Sequence, residues 1–178
     1  IVYNDANLIV PKAFGCTTMA DAHVYTRKEL LPSPPSKALS DCLRIYVEVD
    51  FNVYQNQASS IAQTTTYITS LFNQAIALYN AELINARVSD IFIWTSASPY
   101  SGATDVKLDQ FQRTRSSMKG DIGHLITYRA SGAGGIAAGF GGICPNDFDQ
   151  SLCVTSTGPT FNTGNPIPAY SRSVKVVT

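Results

Sequence analysis

Two carboxylates, Glu48 and Asp50, stand two residues apart in a segment that alternates apolar and polar residues. Residues with that separation share one face of a strand about 7 Å apart, where paired carboxylates can act as general acid and base. The sequence places no nucleophile or third group beside them. We therefore expect both to be charges at the edge or the end of a strand.

The histidines offer little for metal binding or catalysis. His124 falls in the middle of a predicted strand and has no second His, Cys or carboxylate at ligand spacing. A lone strand histidine is more often packed and hydrogen-bonded than catalytic. His23 lies in an N-terminal segment of different composition. We expect no metal site within this chain.

The four cysteines are dispersed and form no CxxC pair. An even number of separated cysteines is typical of disulfides and not of a structural zinc site. A bond between Cys144 and Cys153 would stabilise the chain by about 3 kcal/mol in the chain-entropy model. An oxidising compartment is the favoured interpretation, and a reduced protein with buried thiols is the alternative. The four candidates are Cys16, Cys42, Cys144 and Cys153.

A glycine-rich segment, 132–137, reads G-x-G-x-x-A after a predicted strand, the spacing of a dinucleotide-binding turn. That site needs a helix whose N-terminus faces the pyrophosphate. Residues 138–142 hold three glycines and are too rich in glycine for a stable helix. We interpret the match as accidental. A serine hydrolase has no support either, because no G-x-S-x-G elbow is present.

Charge and hydropathy exclude several classes of protein. Lys plus Arg and Asp plus Glu number 13 each, so net charge favours neither nucleic acid nor anionic lipid. No apolar run approaches the about 20 residues that a membrane-spanning helix needs. A length of 178 residues with 44% hydrophobic composition is typical of one folded domain. We expect no nucleic-acid or membrane partner.

The first elements follow a leader, residues 1–41, which ends in a proline-rich linker. From Cys42 a period of two predicts a strand with one apolar face. Ser60 to Gln63 has the form of a capping box and begins a long amphipathic helix. The apolar run within Val88–Thr95 predicts a strand that is covered on both faces.

The second half of the chain continues the alternation of helix and strand. A weaker helix runs from Leu108 to a stop at Gly120, and a third strand from Ile122 to Arg129. Residues 155–170 predict a loop. The order of elements predicts an α/β domain with a mostly parallel sheet. Because alternating valines continue to the last residues, we expect the domain, 42–178, to be incomplete.

Four stretches stand in order along the chain: Cys42–Asp50, Ser89–Trp94 and Asp121–Thr127 as successive strands, and Gly134–Cys144 as an edge strand. Together they resemble the N-terminal part of a metzincin catalytic domain in its adamalysin/reprolysin branch, especially the bacterial secreted members. The resemblance covers about residues 42–178. It implies a metzincin upper subdomain: a mostly parallel twisted sheet of about five strands, an antiparallel edge strand and two main helices.

The resemblance also implies a secreted, zinc-dependent endopeptidase as the parent protein. In that family the histidines of HExxHxxGxxH hold zinc, and the glutamate activates the zinc-bound water. The motif is absent, and Tyr170–Thr178 looks like the run into the helix that carries it. We expect a chain that stops before the zinc helix, needs the remainder of its own catalytic domain and is inactive alone. The alternative is a non-catalytic peptide- or protein-binding module with the same fold.

In the family, the edge strand pairs antiparallel with an extended peptide substrate. Small side chains suit that role because they let a second backbone approach. The alternative is a glycine-rich surface loop. The residues to which the resemblance assigns substrate binding are Gly134, Gly135, Ile136, Ala137, Ala138, Gly139 and Phe140.

Two further features follow from the resemblance. The leader is similar to the end of a propeptide, in which Cys16 would stand near an inhibitory cysteine that ligates zinc. A disulfide between Cys16 and Cys42 is the alternative, and both cannot hold at once. Some members bind calcium between the first strand and an aspartate of the third. Asp121 fits that aspartate, but Arg44 stands where the first-strand acid would be, which argues against calcium.

Overall fold

A computed structural model describes residues 42–128, 134–138 and 148–157. In these ranges five strands form one sheet, accompanied by three α-helices and a short 3-10 helix. The helices are α1 (Phe51–Asn56), α2 (Ile61–Ala81) and α3 (Thr104–Thr114), with the 3-10 turn at Phe148–Ser151. The strands are β1 (Leu43–Val49), β2 (Ala86–Ile93), β3 (Ile122–Tyr128), β4 (Gly135–Ala137) and β5 (Leu152–Thr157).

The strand order is β2-β1-β3-β5-β4, and only the β4–β5 pair is antiparallel. The predicted α/β class, with a mostly parallel five-stranded sheet, an antiparallel edge pair and two long helices, is confirmed. Because β2 and β3 lie on opposite sides of β1, the carboxyl ends of β1 and β3 meet where the strand order reverses. Segments that leave these ends converge over the same part of the sheet.

Strand β1 is central and is buried on both faces. Ile45, Val47 and Val49 pack in the core cluster beneath α2. Tyr46 packs on the opposite face in a second cluster, which includes Phe111 of α3. The alternation of residues predicted the strand correctly, but the expectation of a single apolar face is wrong because α3 covers the other face.

Helix α2 begins as its sequence predicts. The Ser60 hydroxyl accepts a hydrogen bond from the Gln63 main-chain N–H at 3.3 Å. The helix ends with Leu83 in the left-handed region at φ 62°, and the Ile84 N–H donates to the Tyr79 carbonyl at 2.9 Å. That bond spans five residues and is typical of a Schellman ending, in which glycine usually takes the left-handed position.

Strand β2 differs from its prediction. It is an edge strand, and Phe92 is 38% exposed, so the expected cover on both faces is wrong. Its register against β1 shifts at Ser89, because Val88 and Asp90 lie opposite consecutive residues of β1. Such a bulge inserts one extra residue and reverses which side chains face each way. Phe92 and Trp94 therefore lie on the face that packs toward α3.

Three other elements were predicted incompletely. Helix α3 ends at Thr114, and the short helix α1 carried no clear sequence signal. Residues 155–157 belong to strand β5, so the predicted loop is wrong in its first three positions, and its remainder lies outside the described residues. The leader, residues 1–41, also lies outside them, so the predicted domain boundary stays a prediction.

Candidate functional site

Among the described strands, β4 forms one outer edge of the sheet. Two hydrogen bonds fix its register against β5: the Gly134 carbonyl accepts from the Ser156 N–H at 2.7 Å, and the Ala138 N–H donates to the Leu152 carbonyl at 3.1 Å. In an antiparallel pair, alternate residues direct both main-chain groups to the partner strand. The main-chain N–H and C=O groups of positions 134, 136 and 138 therefore point toward β5.

The remaining two positions of β4 face the other way. The main-chain N–H and C=O groups of Gly135 and Ala137 point away from β5, and no described strand lies beyond them. Neither residue has a side chain larger than a methyl group, so a second extended backbone can approach this edge. The segment is extended where the dinucleotide interpretation required a helix. Gly139 and Phe140, the last two predicted substrate residues, lie outside the described residues.

Ile136 has a different role from its neighbours. It is 7% exposed and packs in the cluster of Leu125, Phe111 and Val154 between the sheet and α3. Its side chain therefore anchors β4 to the core and is unavailable to a peptide at the edge. Ile136 stands within the predicted substrate-binding segment, and only the pairing with β5 distinguishes it from Gly135 and Ala137.

Glu48 is fully buried and lies at the centre of a polar cluster. Its Oε1 accepts from the indole N–H of Trp94 at 2.7 Å and from the Tyr100 hydroxyl at 2.5 Å. Its Oε2 accepts from the Tyr46 hydroxyl at 2.9 Å and from Nε of Arg115 at 2.6 Å. The expectation of an edge charge is wrong, because β1 is central and the segments after β2 and α3 cover it.

The protonation of this cluster is set by burial and by the glutamate. Burial first, and then the charge and hydrogen bond of Glu48, raise the pKa of Tyr46 and of Tyr100 well above the usual range. Burial acts to lower the pKa of Arg115, but the hydrogen bond and charge of Glu48 outweigh it and raise that pKa. The phenols thus stay donors, and the buried carboxylate stays compensated.

Asp50 is also buried, at 2% exposure, in a second polar cluster. Its Oδ2 lies 2.8 Å from Nζ of Lys107 and accepts from the Thr127 hydroxyl at 2.6 Å. The Ser98 hydroxyl donates to Oδ1. This cluster joins Asp50, which directly follows β1, to residues of β3, α3 and the segment after β2. Because every partner is already engaged, it is organised as a structural ion pair and not as an acid–base site.

Asn52 ties α1 to the end of β3. Its side-chain carbonyl accepts from the Tyr128 N–H at 3.1 Å, and its amide donates to the Tyr128 carbonyl at 3.0 Å. The amide group thus imitates one residue of a neighbouring strand. This contact fixes the chain at the point from which it leads on toward β4.

His124 is a packed strand residue, as the sequence predicted. It is 5% exposed, its Nε2 is hydrogen-bonded to the Thr155 hydroxyl, and its ring meets Phe72 edge-on at 5.5 Å. Burial lowers the pKa of His124 to about 4. The imidazole is therefore neutral near pH 7.

The position considered for calcium holds an ion pair. Nη2 of Arg44 lies 2.8 Å from Oδ1 of Asp121, and the Arg44 main-chain N–H donates to Oδ2 at 2.8 Å. A guanidinium here does not fit a calcium site, which needs several oxygen ligands. Within the described ranges no three His, Cys, Asp or Glu side chains come together to hold any metal ion. The described residues likewise do not fit a zinc site.

The cysteines leave the disulfide predictions open. Cys42 and Cys153 are free cysteines in the described part of the chain. Burial raises the pKa of the Cys153 thiol to about 12. Their predicted partners, Cys16 and Cys144, lie outside the described residues, and so does the proposed role of Cys16 as a zinc ligand.

A comparison with known protein families gives a match. The family model Reprolysin_5, described as metallo-peptidase family M12, matches residues 40–178. The chain belongs to this metallopeptidase family. Its match to the M12 model begins just before β1 and includes every described strand. No curated protein matches the chain. None of the described helices of this M12 domain combines the length and the hydropathy that a membrane span requires.

Proposed function

We propose that this M12 domain is part of a secreted, zinc-dependent endopeptidase in which the outer edge of β4 holds the peptide substrate. The observation that carries the proposal is the alternating direction of the main-chain groups along β4: those of Gly135 and Ala137 point away from β5. An extended peptide would pair with these groups antiparallel, as an added strand. Backbone pairing accepts many sequences, so substrate side chains would be selected elsewhere.

Zinc enters the proposal only through the family. The metal would polarise the scissile carbonyl and supply the attacking water. We propose that its ligands lie outside the described residues, because neither a ligand cluster nor HExxH is present. The described residues would position the peptide: β5 holds β4 from one side, and Ile136 anchors it from below. We also propose that Cys16 in the leader blocks the zinc until the leader is removed.

The test is peptide hydrolysis by the complete gene product in the presence of zinc. Ala137→Pro removes one outward N–H without removing a bond to β5, and proline is tolerated on edge strands where its nitrogen faces solvent. The loss of one substrate hydrogen bond should lower kcat/KM about 3- to 10-fold. Ala137→Ser keeps the N–H at similar size and should retain activity.

Two results would contradict the proposal. One is equal activity of the Ala137→Pro and Ala137→Ser variants on an extended peptide substrate. The other is peptide binding without hydrolysis by a complete, zinc-loaded protein, which would favour the non-catalytic binding module. A substrate series with single N-methylated peptide bonds gives an independent reading, because only positions that pair with β4 should be sensitive.

A further inference from the structure

Arg115 holds the buried glutamate through one nitrogen only. Its Nε donates to Glu48 Oε2, while Oε1 of the same carboxylate is occupied by Trp94 and Tyr100. An arginine often binds a carboxylate through two nitrogens together. Here Nη1 and Nη2 make no hydrogen bond to any described residue. Toward the described part of the chain, the outer end of the guanidinium therefore retains its donors.

Two aromatic rings keep the guanidinium in place. It lies 4.5 Å from the centroid of the Phe92 ring and 5.9 Å from that of Tyr46. The side chain of Arg115 is 24% exposed, and Phe92 is 38% exposed. An arginine that is already fixed by stacking and by Nε loses little further rotamer freedom when a ligand binds.

We propose that Arg115 and Phe92 form a binding site for an acidic residue of a peptide or protein partner. The carboxylate of that residue accepts from Nη1 and Nη2 end-on, as a two-bond pair. An apolar side chain next to the acidic residue covers the exposed Phe92 ring. The partner segment therefore combines Asp or Glu with an apolar neighbour.

This acidic-residue site is separate from the β4 edge. It lies at β2, and β2 and β4 are the two outer strands of the sheet. Four strand spacings separate them, about 19 Å. A partner at Arg115 therefore leaves the β4 edge free, and the inference does not depend on the proposed peptidase function.

The neighbouring charges set the strength of the interaction. Glu48 offsets Arg115, and Lys119 lies 3.6 Å from Asp90. The side chain of Asp90 is 38% exposed, and its charge contributes to the raised pKa of Tyr46. The two positive and two negative charges of these four residues balance, so the affinity for an acidic residue depends on the geometry of Nη1 and Nη2 and not on net charge. Removing the Asp90 charge should tighten binding about 3- to 10-fold, because it repels the incoming carboxylate.

The chain contains its own reporter for this site. Trp94 is the single tryptophan, and its ring lies 5.2 Å from that of Phe92. The probes are two capped peptides, Ac-Ala-Leu-Glu-Leu-Ala-NH2 and its Gln counterpart, titrated into the protein while tryptophan fluorescence is recorded. A saturable change with the Glu peptide that is at least about tenfold weaker with the Gln peptide supports the site. Equal responses to both peptides would overturn it.

Variants separate the site from general stability. Arg115→Lys keeps a positive charge for Glu48 but loses the fork, and Phe92→Ala keeps the ion pair but loses the platform; each should weaken binding of the Glu peptide at least about fivefold. Arg113→Gln is the matched control, because this neighbouring arginine is 80% exposed and, among the described residues, forms an ion pair with Asp109 alone. Near-ultraviolet circular dichroism verifies the fold of each variant. Undiminished binding by both site variants, or an equal loss in the control, would refute the proposal.

Discussion

The indole N–H of Trp94 donates to the buried carboxylate of Glu48 at 2.7 Å and so joins the end of the edge strand to the centre of the sheet. This contact depends on the bulge at Ser89, which places Trp94 on the face of the sheet that carries Glu48. The same carboxylate also accepts hydrogen bonds from Tyr46, Tyr100 and Arg115. Four donors from separate parts of the chain thus converge on one side chain.

Replacing the glutamate should therefore be costly. Glu48→Gln puts an amide NH2 among groups that all donate, and it leaves Arg115 without its countercharge. We expect a loss of about 3–5 kcal/mol in the free energy of unfolding, measured with urea. Trp94→Phe removes one donor and should cost about 1–3 kcal/mol. The control is Glu82→Gln, an exposed position that should change stability by less than about 0.5 kcal/mol. Similar stability of Glu48→Gln and Glu82→Gln would contradict the cluster.

The ion pair of Lys107 and Asp50 makes a second prediction. Lys107→Met leaves a buried aspartate without its cation and should lower the free energy of unfolding by about 3–5 kcal/mol. Asp50→Asn should have a similar effect. The double variant buries no lone charge, so its loss should be clearly smaller than the sum of the two single losses. Additive losses in chemical denaturation would show that the two side chains do not act as a pair.

His124 should make stability depend on pH. Its pKa falls from 6.5 to about 4 on burial, so the unfolded chain binds more protons than the folded chain between these values. The contribution of His124 to the free energy of unfolding is therefore fully present above pH 6.5 and is lost as the pH falls toward 4. The total contribution is about 3 kcal/mol. His124→Gln keeps a polar group near Thr155 but does not titrate, so its denaturation midpoint should fall less between pH 7 and 4.5. Parallel pH profiles for the two proteins would exclude this role.

The ending of α2 offers a stabilising substitution. Leu83 adopts φ 62° and is 86% exposed, so it carries the cost of a left-handed conformation while burying little. Leu83→Gly relieves about 1–2 kcal/mol of that cost and loses about 0.4–1 kcal/mol through the freedom of the unfolded chain. The net gain should be about 0.5–1 kcal/mol, visible as a rise in Tm. Leu78→Gly, within the helix and 52% exposed, should instead lower Tm. A lower Tm for Leu83→Gly would show that the leucine has another role.

Local signals in the sequence predicted much of the fold. The capping box at Ser60 located the start of α2, and strict alternation located β1. The order of helices and strands gave the parallel sheet. The capping box and the alternation succeed because each depends on residues that are close together in the sequence.

The polar clusters escaped prediction because their members are distant in sequence. Asp50 and Lys107 are separated by 57 positions, and Glu48 and Arg115 by 67. An isolated carboxylate in a strand gives no local sign that four donors will cover it. One signal was present in retrospect: Trp94, Tyr100 and Arg115 carry donor groups that need acceptors when they are buried.

The sequence predicted where the edge strand β4 lies, but not which of its residues point outward. The glycines and alanines around Gly135 and Ala137 indicated a close backbone approach. Which residues point outward depends on the register with β5, and β5 itself was partly assigned to a loop. A shift of one residue would exchange the anchored and outward positions, so only the pairing could settle their roles.

Glu48 is covered by Tyr46 of β1 and by residues of the segments that follow β2 and α3, and this bears on how the domain can be divided. A fragment that ends after Trp94 would contain the acid but lack Tyr100 and Arg115, so the face of the sheet around Glu48 would lose its cover and two of its four donors. Neither half of such a division would be a self-sufficient folding unit. The described sheet should therefore assemble in a single cooperative event. The exposed bend at Gly102, where φ is 83°, lies between Tyr100 and Arg115, so it should be a poor place to split or permute this domain.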